Sequence, residues 1–395
     1  LERINVEKSL KIGIFIGKGA SYSWIWFVKT FDLLDYNDIY FLDEIDVING
    51  ELSHYDCFVL PGGDPFQVAE GLGDEGLLQV KSFVERGGTY LGVCAGTYLA
   101  ISFCDNPMPW LNLVDVPIRN YALEPPEAVR MKYKYLVPYR DGFVYHPVRG
   151  SLEVSTGDEA FKAPLYGGPP MLAPEELRLL DYSGFDDKTL YLIDEGEARK
   201  TMLGYAAGIK VPFGQGMLYL FGPHFEHPHY PRANQFLYEI LSTVTPQADG
   251  PPGSKPTVLT GDALKRWIKS LRREVSSSRV LANGLTDLRW KIGEKVWEDE
   301  KILYFITELL KLLKDLQKYP LLPVHDPASL ERDAKAIHAL LAEIRVRSMD
   351  GKETNQQASV LIESTKSLSK GLFEAYFTFK RQNWWSNGEN CRTHN

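Results

Sequence analysis

Cys94 stands where a β-branched and aromatic run, "TYLGVC", meets a helical one, "AGTYLAISF". A thiol on a tight strand-to-helix turn is lifted clear of its sheet. It then sits at the carboxyl ends of the strands, where α/β proteins bind ligands. Gly92 and Gly96, two residues to either side, leave room for a sharp turn. A helix start beneath the sulfur favours the thiolate. The Ala95 N–H points to where an oxyanion would form, and one such donor is worth about 2.7–4 kcal/mol in a transition state. The competing reading is a small, inert hydrophobe. A partner has to decide between them.

That partner lies in "FGPHFEHPHY". His224 and Glu226 are two apart after a strand-like run, so in extended backbone they project to one side. The carboxylate can then orient the imidazole while its other nitrogen faces the thiol, the arrangement a nucleophilic triad requires. His227 and His229 lie close by, but an exposed loop explains them better than a metal site, and no metal is expected. "LPGGD" (Leu60–Asp64) follows another apolar run, and Gly63 offers a second oxyanion N–H, since paired glycines let backbone approach a reacting centre.

The elements that must position these groups alternate between strand and helix. "KIGIFIG", "IYFLDEIDV", "CFVLPGG" and "TYLGVC" read as short apolar strands. "EGLLQVKSFVERGG" reads as an amphipathic helix burying Leu77, Leu78, Val80, Phe83 and Val84, stopped at Gly87-Gly88. Continuous apolar strands joined through helices predict an α/β fold with an open, mostly parallel sheet covered on both faces. From Asp105 to about Phe161 the pattern turns irregular, rich in Tyr, Pro and Trp, and suggests a loop layer. "LRLLDYSG", "TLYLID", "GYAAGIKVPFG" and "GMLYLFGPHFE" resume as strands, the last two joined by a hairpin turn at "PFGQG". "RANQFLYEILSTV" closes this domain as a helix.

"TPQADGPPGSKPT" (Thr245–Thr257) is a linker by composition. The sequence thus divides into a front domain over 1–246, a linker over 247–257 and a helical bundle of about four members over 258–395. One bundle helix is "ALKRWIKSLRREV"; a second spans roughly Thr286 to Leu316, with Leu288, Ile292 and Val296 taken into its apolar phase. Asp326-Pro327 caps a third, and a fourth runs from about Asn355 to Arg381.

Charge follows the same division. The 395 residues carry a net charge of −8, but from Thr257 onward there are 23 Lys+Arg against 18 Asp+Glu. The front is therefore acidic and the back mildly basic, so the two modules present different surfaces. Cys57, Cys94, Cys104 and Cys391 have neither zinc-ligand spacing nor a disulfide framework, which suits a reducing, cytoplasmic setting. No apolar run approaches the roughly 20 residues of a membrane span. The basic face of "LKRWIKSLRREV" is read as the solvated side of a bundle helix. No nucleic-acid or membrane partner is expected, and the bundle suits a protein partner or self-association.

Taken together, "FVLPGGD", "GGTYLGVCAGTYLA", "YGGP" (Tyr166–Pro169) and "GPHFE" resemble the class I glutamine amidotransferase-like superfamily, which has a flavodoxin-like sheet. The likeness is greatest to the amidotransferase-like domain at the N-terminus of eukaryotic biotin–protein ligases, and it covers roughly residues 10 to 245. It implies Cys94, His224 and Glu226 as triad and Gly63 with Ala95 as oxyanion hole. Gly62, Asp64, Tyr98, Tyr166, Gly167 and Gly168 become the candidates for substrate contacts. Two departures stand out: Tyr98 occupies the place where glutamine amidotransferases usually carry Gln, and no Gly/Arg-rich adenylate-binding loop of a biotin ligase follows. The expected function is a cysteine-dependent amidase, hydrolase or amidotransferase-like enzyme acting on a small-molecule or peptide amide through an acyl-thioester, without a cofactor. The alternative is an inactive module that binds a small molecule or acts as a scaffold.

Overall fold

The computed structural model describes residues 9–102, 111–119, 136–139, 142–145, 147–157, 159–252, 255–285, 288–292 and 295–390. Cys104, Cys391 and much of the stretch from Asp105 to Phe161 lie outside them. The chain forms two compact units, Leu1–Pro251 and Pro252–Asn395.

The front unit is built on β1 (Ile12–Phe15), α1 (Trp24–Leu33), β2 (Ile39–Leu42), α2 (Glu44–Ile48), β3 (Cys57–Leu60), α3 (Pro65–Glu85), β4 (Thr89–Val93) and α4 (Ala95–Ala100). After these come β5 (Val148–Thr156), β6 (Glu159–Leu165), β7 (Arg178–Phe185), α5 (Glu195–Met202), β8 (Ala206–Phe213), β9 (Gly216–Phe221) and α6 (Pro231–Leu241). The main sheet runs β6-β5-β7-β8-β9-β4-β3-β1-β2. Its half from β2 to β9 is parallel, as the apolar runs predict. From β9 outward every pairing is antiparallel, so the sheet is mixed. The hairpin expected at "PFGQG" joins β8 to β9, with Gly214 at a φ of 60°.

Both faces of the parallel half are covered. Phe15, Leu42, Phe58, Leu60, Tyr90, Leu218 and Leu220 point to one face and pack with α2, α3 and α4 in the main core. The alternate residues point to the other face, where Trp24 of α1 meets Phe41 of β2 and Phe236 of α6 meets Phe221 of β9. That is why these strands show no polar alternation.

Several sequence expectations are corrected in detail. "IYFLDEIDV" is strand only to Leu42, because Asp43 caps α2 through the amides of Ile45 and Asp46. Helix α3 starts at Pro65, earlier than its apolar stripe suggests, and is broken at Gly73. Leu78 is 61% exposed, whereas Leu77, Val80, Phe83 and Val84 are buried. The chain before Phe161 is not all loop: β5 buries Val148, Leu152 and Val154 at even spacing and pairs with β6 over seven residue pairs.

The boundary also shifts. Asp56 Oδ1 accepts the amides of Gln247 at 2.6 Å and Ala248 at 2.7 Å, so the linker's first residues are tied to the front unit.

The back unit contains α7 (Gly261–Asn283), α8 (Asp299–Leu316), α9 (Pro327–Met349) and α10 (Asn355–Asn390). Asp326 caps α9 through Ser329 N, as the Asp-Pro signal predicts. Two strand pairs depart from the all-helical expectation. Thr257–Thr260 pairs with Leu321–Val324, and Arg289–Ile292 pairs with Lys295–Glu298. Ile292 and Val296 therefore belong to a hairpin. Positions four apart share one face of a strand as well as of a helix, so their spacing alone does not separate the two. Trp290, opposite Trp297, is 1% exposed and donates its Nε1–H to Thr354 Oγ1 at 2.8 Å. Among the described residues, no helix is long and apolar enough to cross a membrane.

Trp290 anchors that hairpin, so Trp290→Ala should lower the unfolding free energy of the back unit by about 3–5 kcal/mol. Trp290→Phe, which chiefly loses the hydrogen bond, should cost about 1 kcal/mol. Urea denaturation of the full chain measures both.

Candidate active site

The parallel half of the sheet places four loops together at its carboxyl edge. Cys94 is the residue between β4 and α4, with φ 53° and ψ −101°. A non-glycine residue in that region costs on the order of 1–3 kcal/mol. Its neighbours over-determine it. Cys94 N–H donates to Phe221 O at 2.8 Å, and Thr97 Oγ1 lies 2.7 Å from Phe221 O and 3.0 Å from Gly92 O. Tyr90 donates its hydroxyl to Gly96 O at 2.8 Å. Gly96 has to be glycine, since a Cβ there would lie 2.2 Å from Leu60 O. The Ala95 amide, at the first helical position, has no intrahelical acceptor. The sharp turn expected at Cys94 is present.

The loop after β9 carries the partners. His224 Nδ1 and Glu226 Oε1 are 2.6 Å apart, with His224 3% exposed and Glu226 fully buried. Nδ1 being engaged, Nε2 is left for Cys94, whose sulfur is hydrogen-bonded to the imidazole. Burial alone would lower the His224 pKa. The Glu226 charge and the hydrogen bonds to Cys94 and Glu226 overcome it, raising the value from 6.5 to about 10. Glu226 Oε2 is buried with no hydrogen-bond partner among the described residues. Such an acceptor costs about 1–3 kcal/mol, a cost the fold carries for holding a charge beside the imidazole.

Residues that sequence reasoning missed hold this loop in place. His224 N–H donates to Pro164 O at 2.8 Å. Thr30 of α1 donates its hydroxyl to Glu226 O at 2.7 Å, and Asn234 of α6 donates its side-chain amide to Phe225 O at 2.6 Å. Trp26 of α1 meets the His224 ring edge to face, with centroids 5.3 Å apart at 89°. It also packs on Tyr166 at 5.5 Å and on His227 at 4.4 Å. Nothing in "SWIWFV" marks Trp26 as different from its buried helical neighbours. Burial first, then the nearby His224 charge, pushes His227 down to about 4.

The remaining candidates fall into three groups. Gly62 approaches the imidazole so closely that a Cβ there would lie 2.7 Å from His224 Cε1. Gly62 O accepts from Ser21 N at 2.9 Å and from Ser23 Oγ at 3.2 Å, and Gly63 bridges to Ala20. Tyr166 lies beside His224 at 5.6 Å, and Gly167 and Gly168 follow it into a buried turn. A Cβ on Gly168 would lie 1.9 Å from Gly222 O, so the motif's glycine serves the approach of two backbones. Asp64 and Tyr98 face elsewhere. Asp64 caps α3 through Phe66 N and Gln67 N and is 2% exposed. Tyr98 is 5% exposed in the main core, and burial, then the charges of Cys94 and Tyr182, raise its pKa well above the ordinary value.

Residues 46–118 match the family model described as biotin-protein ligase, N terminal. That segment of the front unit is similar to such a domain. The match takes in the Gly62–Asp64 loop and the Cys94 turn and ends before His224 and Glu226. No curated protein matches the chain. Among solved structures, a glutamine amidotransferase is 12% identical with a TM-score of 0.38, over 59% of this chain and 99% of that one. A cytoplasmic protein from Salmonella typhimurium is 12% identical with a TM-score of 0.35, over 60% of this chain and all of that one. A β-galactosidase from Bacillus circulans sp. alkalophilus is 12% identical with a TM-score of 0.34, over 64% of this chain and 34% of its own. The chain spans about a third of the length of the β-galactosidases it matches.

Two stability measurements follow from this geometry. His224 binds its proton more tightly folded than unfolded, so its contribution is full below about pH 6.5 and lost as pH rises through about 10. His227 acts in the opposite sense, losing stability as pH falls from 6.5 towards 4. In chemical denaturation, the advantage of wild type over Glu226→Gln should therefore shrink steadily as pH approaches 10. Cys94→Gly should be more stable than Cys94→Ala by about 1 kcal/mol, because glycine relieves the positive φ.

Proposed function

We propose that the front unit is a cysteine-dependent hydrolase or amidotransferase-like enzyme that acts on an amide-type carbonyl. The observation that carries this reading is the unbroken chain of contacts from Glu226 through His224 to a thiol held in a strained turn. A histidine kept protonated beside a sulfur favours the thiolate–imidazolium pair over the neutral pair.

The thiolate of Cys94 attacks the carbonyl carbon, and the carbonyl π electrons move to oxygen. The Ala95 N–H, with the Gly62-Gly63 backbone beside it, faces the oxyanion that results. The intermediate collapses with cleavage of the C–N bond, and His224 delivers the Nε2 proton to the departing amine. A thioester on Cys94 remains. Water, or a second nucleophile, loses a proton to His224 as it attacks this thioester, which releases the acid or transfer product and restores the thiolate. Glu226 holds the ring orientation throughout and offsets the charge on the imidazolium. Trp26 walls the ring on its other side.

Support for glutamine as substrate is weaker than for an amide in general. The side chain at the usual glutamine-holding place, Tyr98, is committed to the core. Recognition of the substrate beyond its carbonyl therefore rests on other groups, of which Tyr166 and His227 are the half-exposed ones nearest the imidazole.

Iodoacetamide should modify Cys94 rapidly below pH 7 and leave the fully buried Cys57 untouched. Glu226→Gln should move the alkylation profile to higher pH. On a panel of amide and ester substrates, His224→Ala should lower kcat by about 10²–10⁴, and Cys94→Ala should abolish turnover. A wild-type chain inert on every panel, with Cys94 no more reactive than Cys57, would sink the proposal.

A further inference from the structure

The opposite edge of the same sheet holds a second site. A cavity of about 570 Å³ opens among the amino ends of β3, β4 and β9, remote from the carboxyl edge that carries Cys94. That volume lies within the range of small-molecule sites, roughly 300–1,000 Å³. Its walls include two cations, Arg86 and Lys210, and three aromatic side chains, Tyr55, Phe83 and Tyr219.

The charge balance of this cavity is one-sided. Arg86 and Lys210 take no carboxylate partner among the described residues. Lys210 Nζ lies over the Tyr219 ring, 5.6 Å from its centroid. Asp56 is the acid of the lining, but its charge is already met by backbone donors. Oδ2 accepts from Lys11 N at 2.8 Å, and Oδ1 accepts from Gln247 N and Ala248 N. The cavity therefore carries two uncompensated positive charges beside apolar ring surface. The hydroxyl of Tyr219 is 3.2 Å from Thr243 Oγ1, which fixes the ring as part of a wall.

We propose that this cavity binds a small phosphomonoester. Its dianionic phosphate pairs with Arg86 and Lys210, and its organic part lies against the aromatic wall formed by Phe83 and Tyr219. Two cations match the two negative charges of a phosphomonoester, and the guanidinium can meet two phosphate oxygens at once. A monocarboxylate would leave one cation unanswered, and an uncharged ligand would leave both. The site is independent of the chemistry at Cys94.

Isothermal titration of the full chain tests this with phenyl phosphate as probe and benzyl alcohol as the uncharged control. The expected result is a saturable one-to-one isotherm for phenyl phosphate, none for benzyl alcohol, and weaker binding of inorganic phosphate. Arg86→Gln and Lys210→Gln should each weaken phenyl phosphate by about tenfold or more, with the unliganded Tm little changed because Arg86 is exposed and Lys210 half-exposed. Cys94→Ala should leave the affinity unchanged. Three results would overturn the assignment: no saturable binding at millimolar phenyl phosphate, an affinity indifferent to both cation substitutions, or binding lost in Cys94→Ala. The last would put the ligand at the thiol edge.

Discussion

The parallel pairing of β4 with β9 is the contact on which the site depends. Val93 lies opposite Phe221, so the last residues of two strands distant in sequence stop side by side. The bond from Cys94 N–H to Phe221 O continues that ladder one step beyond both strands. From this point the two chains diverge, one into α4 and the other into the loop that brings back His224. Thr97 repeats the link from the first turn of α4. A one-residue slip in this register would turn Cys94 to the other face of the sheet and part it from the imidazole.

The polar groups at this edge are held against the ordinary preference for water. His224 and Glu226 are both buried, and one Glu226 oxygen has no hydrogen-bond partner among the described residues. A site selected only for stability would fill this space with hydrocarbon, since buried ion pairs seldom outperform well-packed apolar groups. The surrounding structure instead supplies donors and rings on every side of the loop: Thr30 and Trp26 from α1, Asn234 from α6 and Pro164 from the end of β6. Four elements converge on five residues of chain, and the strained φ of Cys94 is tolerated for the same reason.

Much of this was legible before any coordinates. The apolar runs ending in glycine marked β1, β3 and β4, and the break in character at Cys94 marked the turn. The two-residue spacing of His224 and Glu226 marked their pairing. Trp26 and Thr30 were not legible, because α1 is apolar throughout and one buried face of it looks like any other. The hairpin at Arg289–Glu298 was misread as helix because its apolar residues sit at a spacing that both structures allow. Asp64 and Tyr98 stood inside motif-bearing segments, yet their side chains serve the helix cap and the core.

The sequence by itself determined the local events: where strands stop, where Asp43, Asp64 and Asp326 cap helices, and where backbone must turn at Gly96 and Gly214. These depend on steric limits and hydrogen bonds within a few residues. Only the tertiary structure decided which loops meet, that the sheet turns antiparallel beyond β9, and that a wall of α1 closes over the imidazole. Those outcomes depend on contacts between segments far apart in the chain. Their free energies come from burying surfaces that no local pattern specifies.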